Sequence, residues 1–179
     1  MIKFLDLYKQ DKNLHNIMLK EINFLFKKGD FILGSKVKEF EKNFANFCGS
    51  RFAIGCANGT DALTLALKSL DLPKNSEVIL PAMTYCSTAF AVIEANLKPI
   101  LVDTDKLSPN ISIEDLKKKI NKKTRVILPV HLYGSVANLL EIKKIIKNKK
   151  IYLIDDCSQA HGAFDDSEKK LKKKNWLYY

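Results

Sequence analysis

Apolar positions follow two rhythms along the chain. Up to residue 50 they recur at helical spacing. Leu14, Ile17, Met18, Ile22, Leu25 and Phe26 fall on one face of a first helix, which Gly29-Asp30 ends. Phe31-Ile32-Leu33-Gly34 is a short apolar link. Ser35 is placed to cap a second helix, in which Val37, Phe40, Phe44 and Phe47 share a face and which Gly49 closes. After residue 50, short apolar runs alternate with helical segments. The runs at 52–56, 77–80, 99–102, 125–128 and 151–154 read as strands. The segments at 61–70, 87–95, 112–120 and 138–147 read as helices, the third capped by Ser112. Parallel strands need a crossover rather than a tight turn between them. The alternation therefore predicts βαβ units in a doubly wound, mostly parallel sheet with helices on both faces, an α/β fold. The pattern breaks at 164, where FDDSEKKLKKKNWLYY carries charge without a period and ends on aromatics. It reads as a divergent tail, either a disordered terminus or the product of a shifted reading frame. The expected organisation is a helical segment over 1–50, an α/β domain over 51–163 and the charged tail over 164–179.

The chain's 179 residues are enough for one sizeable core, and 46% hydrophobic with 28% charged residues suits a soluble globular protein. No apolar run approaches the roughly 18 residues of a membrane span. MIKFLDLYKQ has no apolar stretch followed by a small-residue cleavage site, so a cytoplasmic location without membrane association is expected. Cys48, Cys56, Cys86 and Cys157 are widely spaced, contain no CxxC pair, and read as buried apolar thiols in a reducing compartment. The net charge of +10 raises the question of nucleic acid. However, Lys117, Lys118 and Lys119, then Lys143, Lys144 and Lys147, lie on predicted helices without interleaved aromatics, which fits a solvated surface.

In an open parallel sheet, ligands bind beyond the carboxyl ends of the strands, so the residues just after each strand matter most. After the first come Ala57-Asn58-Gly59-Thr60-Asp61. Gly59 allows close backbone approach, and a helix N-terminus offers free amides to an anion; the same turn also reads as a simple N-cap by Thr60 or Asp61. The segment matches neither GxGxxG nor GxxxxGK[ST]. After the second strand, Tyr85 is either a stacking surface for a flat heterocycle or a packing residue. After the fourth, His131 is either ligand-facing or a satisfied structural histidine. After the last come Asp155 and Asp156, whose side chains alternate: one points to the crevice while the other caps or meets solvent. With His161 nearby a metal is conceivable, but no second set of such ligands accompanies them, so no metal is expected.

Taken together, FILGSKVKEFEKNFANFCG, ANGTDALTLAL, VILPAMTYCSTAFAV, PILVDTD, VILPVHLYG and LIDDCSQAHGA resemble the DegT/DnrJ/EryC1/StrS family of sugar aminotransferases, from Phe4 through Ala163. The resemblance implies the large domain of a fold-type I transferase dependent on pyridoxal 5'-phosphate (PLP), with 51–163 an incomplete PLP-binding domain. It also implies a homodimer. It places Gly59 and Thr60 at the cofactor phosphate, Tyr85 on the pyridine ring, Asp156 at the ring nitrogen and Gln159 at the phenolic oxygen. Asp155 stands where the family often has Glu, and Cys157 and Ser158 where small residues are usual. The family continues past HGA to a Ser-Phe-x-x-x-Lys segment whose lysine forms the Schiff base; this sequence instead reads FDDSEKKLKKKNWLYY, so no catalytic residue is assigned. The expectation is an aminotransferase of nucleotide-linked keto-sugars with glutamate as amino donor, serving amino-sugar and surface-polysaccharide biosynthesis, here as a truncated copy with little or no activity. The competing readings are a non-catalytic remnant that binds a nucleotide or a partner protein, and a basic nucleic-acid-binding domain.

Overall fold

The computed structural model describes residues 4–163, and the tail reading for 164–179 lies outside the described residues. Two compact units divide between Asn43 and Phe44, within one helix. The first unit holds α1 (Leu7–Gln10), α2 (Lys12–Lys28) and the start of α3 (Ser35–Cys48). Gly29 ends α2 as expected: it adopts φ +66°, and its amide donates to the Leu25 carbonyl. Ser35 does not cap α3 but is its first residue. Asp30 Oδ2 accepts from the Ser35 amide at 2.8 Å and from the Ser35 hydroxyl at 2.6 Å. A carboxylate at the positive end of a helix is the better cap, because it meets both the free donors and the dipole. Those bonds, the hydroxyl's first and the amide's second, hold the Asp30 carboxyl below the usual carboxylate range.

The second unit is built on four parallel strands in the order β2-β1-β3-β4. They are β1 (Glu77–Pro81), β2 (Lys98–Val102), β3 (Thr124–Ile127) and β4 (Tyr152–Leu153). Period-two alternation sorts their side chains onto two faces. Val78, Leu80, Val126 and Leu128 pack on one face with Leu63, Ala66, Leu67, Ala91 and Val92 of α4 (Gly59–Ser69) and α5 (Ser87–Glu94). Ile79, Val102 and Ile127 pack on the other with Leu116 of α6 (Ile113–Lys119) and Leu139 and Ile142 of α7 (Leu139–Ile146). The helices fall this way because parallel crossovers are right-handed. From β1 the chain steps one way to β2 through α5. It then reverses past β1 to β3 through α6 and continues to β4 through α7, so the helices change face at the reversal. The reversal puts the topological switch point beside β1, between the loops that follow β1 and β3.

Two expectations need correction. Residues 52–56 form no strand, and Phe52 and Ile54 are exposed. A strand must pair its amides and carbonyls in a ladder, and the ladders among the described residues join only the strands β1 to β4. The cysteines are also not uniformly buried: Cys157 is, Cys48 is half-buried, and Cys56 and Cys86 are exposed. The exposed pair occupies connecting segments rather than the core face of an element. Partial burial pushes the Cys48 thiol up.

Lys118, Lys119 and Lys144 form ion pairs within their own helices. On α6, Ser112 caps the start by accepting from the Asp115 amide. Lys118 pairs with Glu114 at 2.6 Å and Lys119 with Asp115 at 3.0 Å, four residues apart and outside the core.

Candidate cofactor site

The site is assembled at the carboxyl ends of the strands. Its first part is the start of α4. Neither Thr60 nor Asp61 is the cap; Asn58 is. Its Oδ1 accepts from the Asp61 amide at 2.9 Å, and its Nδ2 donates to Asp61 Oδ2 at 2.9 Å. The Asn-x-x-Asp spacing was the legible signal for this reciprocal cap. A helix start leaves its first amides without internal acceptors. With the Asp61 amide taken by Asn58, those of Gly59 and Thr60 remain, at the positive end of an 11-residue helix. Gly59 is exposed, and a Cβ built there would meet nothing nearer than Ser158 Oγ at 4.0 Å.

That oxygen belongs to the second part, the segment after β4. Asp156 is held in the sheet by its backbone: its amide donates to the Pro129 carbonyl, and its carbonyl accepts from the His131 amide, both at 3.0 Å. Its side chain is buried, and Oδ1 accepts from the Ser158 amide at 3.0 Å and the Ser158 hydroxyl at 2.6 Å. Neighbouring Asp155 is buried too, 3.8 Å from His131 Nε2, so of the two alternatives, capping or meeting solvent, the second does not hold for it. His131 is the structural histidine of its two readings. Buried at 3% exposure, its Nδ1 accepts from the Ala137 amide at 3.0 Å, which leaves the ring proton on Nε2, facing Asp155. Among the described residues no three His, Cys, Asp or Glu side chains converge to hold a metal.

Gln159 Oε1 accepts from the Tyr133 amide at 2.7 Å, which fixes the side-chain amide so that its NH2 is the outward donor. Tyr133 itself adopts φ +55°, a strained conformation for a tyrosine. His161 and Gly162 follow, the His161 ring edge-on to Phe44 at 5.5 Å. Tyr85 stands after β1 at the switch point, 75% exposed. Its carbonyl accepts from the Thr88 amide. The structure thus brings Gly59 and Asp156 toward one another through Ser158, holds Gln159 against the Tyr133 amide, and leaves Tyr85 as an open aromatic face after β1. Ser158 was missed as a functional candidate; its signal was a hydroxyl two residues after an acid that follows a strand.

Fold and site define the chain as part of a doubly wound α/β protein with amides, a buried acid and an oriented carboxamide at its strand ends. The chain belongs to the DegT/DnrJ/EryC1/StrS aminotransferase family, whose model matches residues 13–172. It is 38% identical over 163 residues to dTDP-3-amino-3,6-dideoxy-alpha-D-galactopyranose transaminase of Aneurinibacillus thermoaerophilus, covering 91% of this chain and 45% of that protein. Among solved structures it matches S. venezuelae DesV with a TM-score of 0.85 and 32% identity, over 90% of this chain and 43% of that one. It also matches a GDP-4-keto-6-deoxymannose-3-dehydratase with a trapped PLP-glutamate geminal diamine, with a TM-score of 0.78 and 32% identity, over 83% of this chain and 40% of that one. The fold is that of the PLP-dependent aminotransferases, and the family's cofactor is pyridoxal phosphate. The chain spans about 45% of the length of the curated relative it matches. No helix among the described residues is long and apolar enough to cross a membrane.

Proposed function

We propose that these residues form the cofactor-holding wall of a homodimeric enzyme that moves an amino group from glutamate to a nucleotide-linked keto-sugar, for amino-sugar and surface-polysaccharide biosynthesis. The supporting observation is the convergence of free amides at Gly59 and Thr60 with the buried Asp156 through Ser158. The donor set suits pyridoxal phosphate. Gly59 and Thr60 offer amides at a helix N-terminus to its phosphate. Tyr85 offers a flat face to its ring. Asp156 would accept a hydrogen bond from its protonated ring nitrogen, and the NH2 of Gln159 would donate to its phenolic oxygen. Once bound, the cofactor supplies an electron sink for the carbon that loses its proton. Asp156 would keep the ring nitrogen protonated, and Gln159 would help to orient the ring. None of the five is placed here as the base at the donor's α-carbon. These 179 residues contain no Ser-Phe-x-x-x-Lys segment, so the reading assigns them non-covalent contacts to the cofactor and no covalent step.

Titration of the chain with pyridoxal phosphate and with pyridoxal, followed by fluorescence, tests this reading. The phosphorylated form is expected to bind about 10-fold or more tightly, given charge-assisted bonds to its phosphate. Asp156→Asn is expected to weaken binding, and borohydride to leave no stoichiometric label on any one lysine. Equal affinity for the two compounds would sink the phosphate assignment. A single labelled lysine would sink the non-covalent one.

A further inference from the structure

We propose that Ser158 is a positioning residue for the cofactor, aiming the Asp156 carboxylate at the ring nitrogen; this rests on the reading of Asp156 given above. The two residues are joined more tightly than the turn requires. A carboxylate two residues before an amide can accept from it whatever side chain follows, and alanine at 158 would keep that 3.0 Å bond. The serine adds a second and shorter one, from its hydroxyl at 2.6 Å, to the same oxygen. Both donors therefore act on Oδ1. Among the described residues Oδ2 takes no hydrogen bond, so the carboxylate is turned with one oxygen anchored and the other presented. The group is 6% exposed, and little water reaches it to hold any other orientation. The hydroxyl also lies toward the start of α4, 4.0 Å from where a Gly59 Cβ would stand. Ser158 thus sits between the acid for the ring nitrogen and the amides for the phosphate, and it sets the spacing between the two ends of one ligand.

The test uses the full chain and pyridoxal phosphate labelled with ¹⁵N in the ring. Ser158→Ala should weaken binding about 3- to 10-fold, the usual range for one hydrogen bond, and move the ring ¹⁵N resonance away from its wild-type position. Ser158→Thr, which keeps the hydroxyl, should restore both. A role confined to stability would shift the melting temperature and leave the ¹⁵N signal where it was. In the cofactor-free chain the Asp156 carboxyl ¹³C resonance should move in Ser158→Ala and not in Ser158→Thr. Wild-type affinity and ring signal in Ser158→Ala, failure of threonine to restore them, or an unmoved ¹³C resonance would each overturn the proposal. Failure of the wild-type chain to bind pyridoxal phosphate would overturn it by a different route, by removing the cofactor reading on which it stands.

Discussion

Replacing Gly59 by alanine separates the folding role of the α4 turn from its binding role, because the two should move in opposite directions. Gly59 is helical rather than left-handed, and an added Cβ would have nothing within 4 Å except Ser158 Oγ, at 4.0 Å. The methyl group therefore fits without strain. Alanine restricts the unfolded chain and should stabilise by about 0.4–1 kcal/mol, a rise of roughly 1–4 °C in melting temperature for a domain of this size. The same methyl would stand on the exposed helix start that a phosphate must approach. Each hydrogen bond it denies to a charged group is worth about 1.5–3 kcal/mol, or about 10- to 150-fold in Kd. Thermal melts followed by circular dichroism, with fluorescence titrations of pyridoxal phosphate and pyridoxal, read both effects on one preparation. The expected result is a more stable protein that binds the phosphorylated compound less well and pyridoxal unchanged. A destabilised Gly59→Ala chain, or one with undiminished affinity for pyridoxal phosphate, would refute the assignment of glycine to this turn for ligand approach.

Other outcomes follow from neighbouring bonds. Asn58→Ala removes both bonds to Asp61 and should cost about 1 kcal/mol as a lost N-cap, measured by urea unfolding. Gln159→Leu leaves the Tyr133 amide without its acceptor in a residue of positive φ. It should cost about 1–2 kcal/mol and speed hydrogen exchange at Tyr133. The Asp30 cap predicts a pH effect. Its folded carboxyl titrates below its unfolded value, so its contribution is fully present above the usual Asp range of about 3.9 and is lost as pH falls through the lower folded value. Exchange protection at the start of α3 should fall on acidification below that range, and Asp30→Asn should flatten the dependence.

The parallel sheet was legible because its strands and helices carry different periods and each strand is flanked by its own turn. Ser112 was readable as a cap because Glu114 and Asp115 follow it in the first turn. Ser35 looked equally suitable, but Asp30 lies across the turn from it and competes with a full charge. Apolar composition made 52–56 look like a strand; composition does not report whether a partner strand is present. The candidate acid after β4 was found because polar groups directly after a buried strand are conspicuous. Whether the other acid of the pair caps or meets solvent was not, since both are buried and His131, more than 20 residues earlier, takes up position beside one of them. The importance of Ser158 required distances. Nothing in the spacing of Asp156 and Ser158 distinguishes a passive turn from one whose hydroxyl reaches back 2.6 Å to the acid.

The order of the strands has a consequence for when a ligand can be held. Gly59 opens the first helix of the sheet unit, whereas Asp156 is reached only after β4, which joins the sheet by parallel pairing to β3. The acid is then fixed by its two backbone bonds to Pro129 and His131. The two ends of the site are nearly the length of the domain apart in sequence, and loop closure across that span is the slow kind of contact to make. A ligand that bridges Gly59 and Asp156, as proposed above, therefore binds only the chain with β4 docked. By mass action it draws population from every partly assembled form. Cofactor occupancy would then serve as a gauge of β4 docking, independent of any turnover.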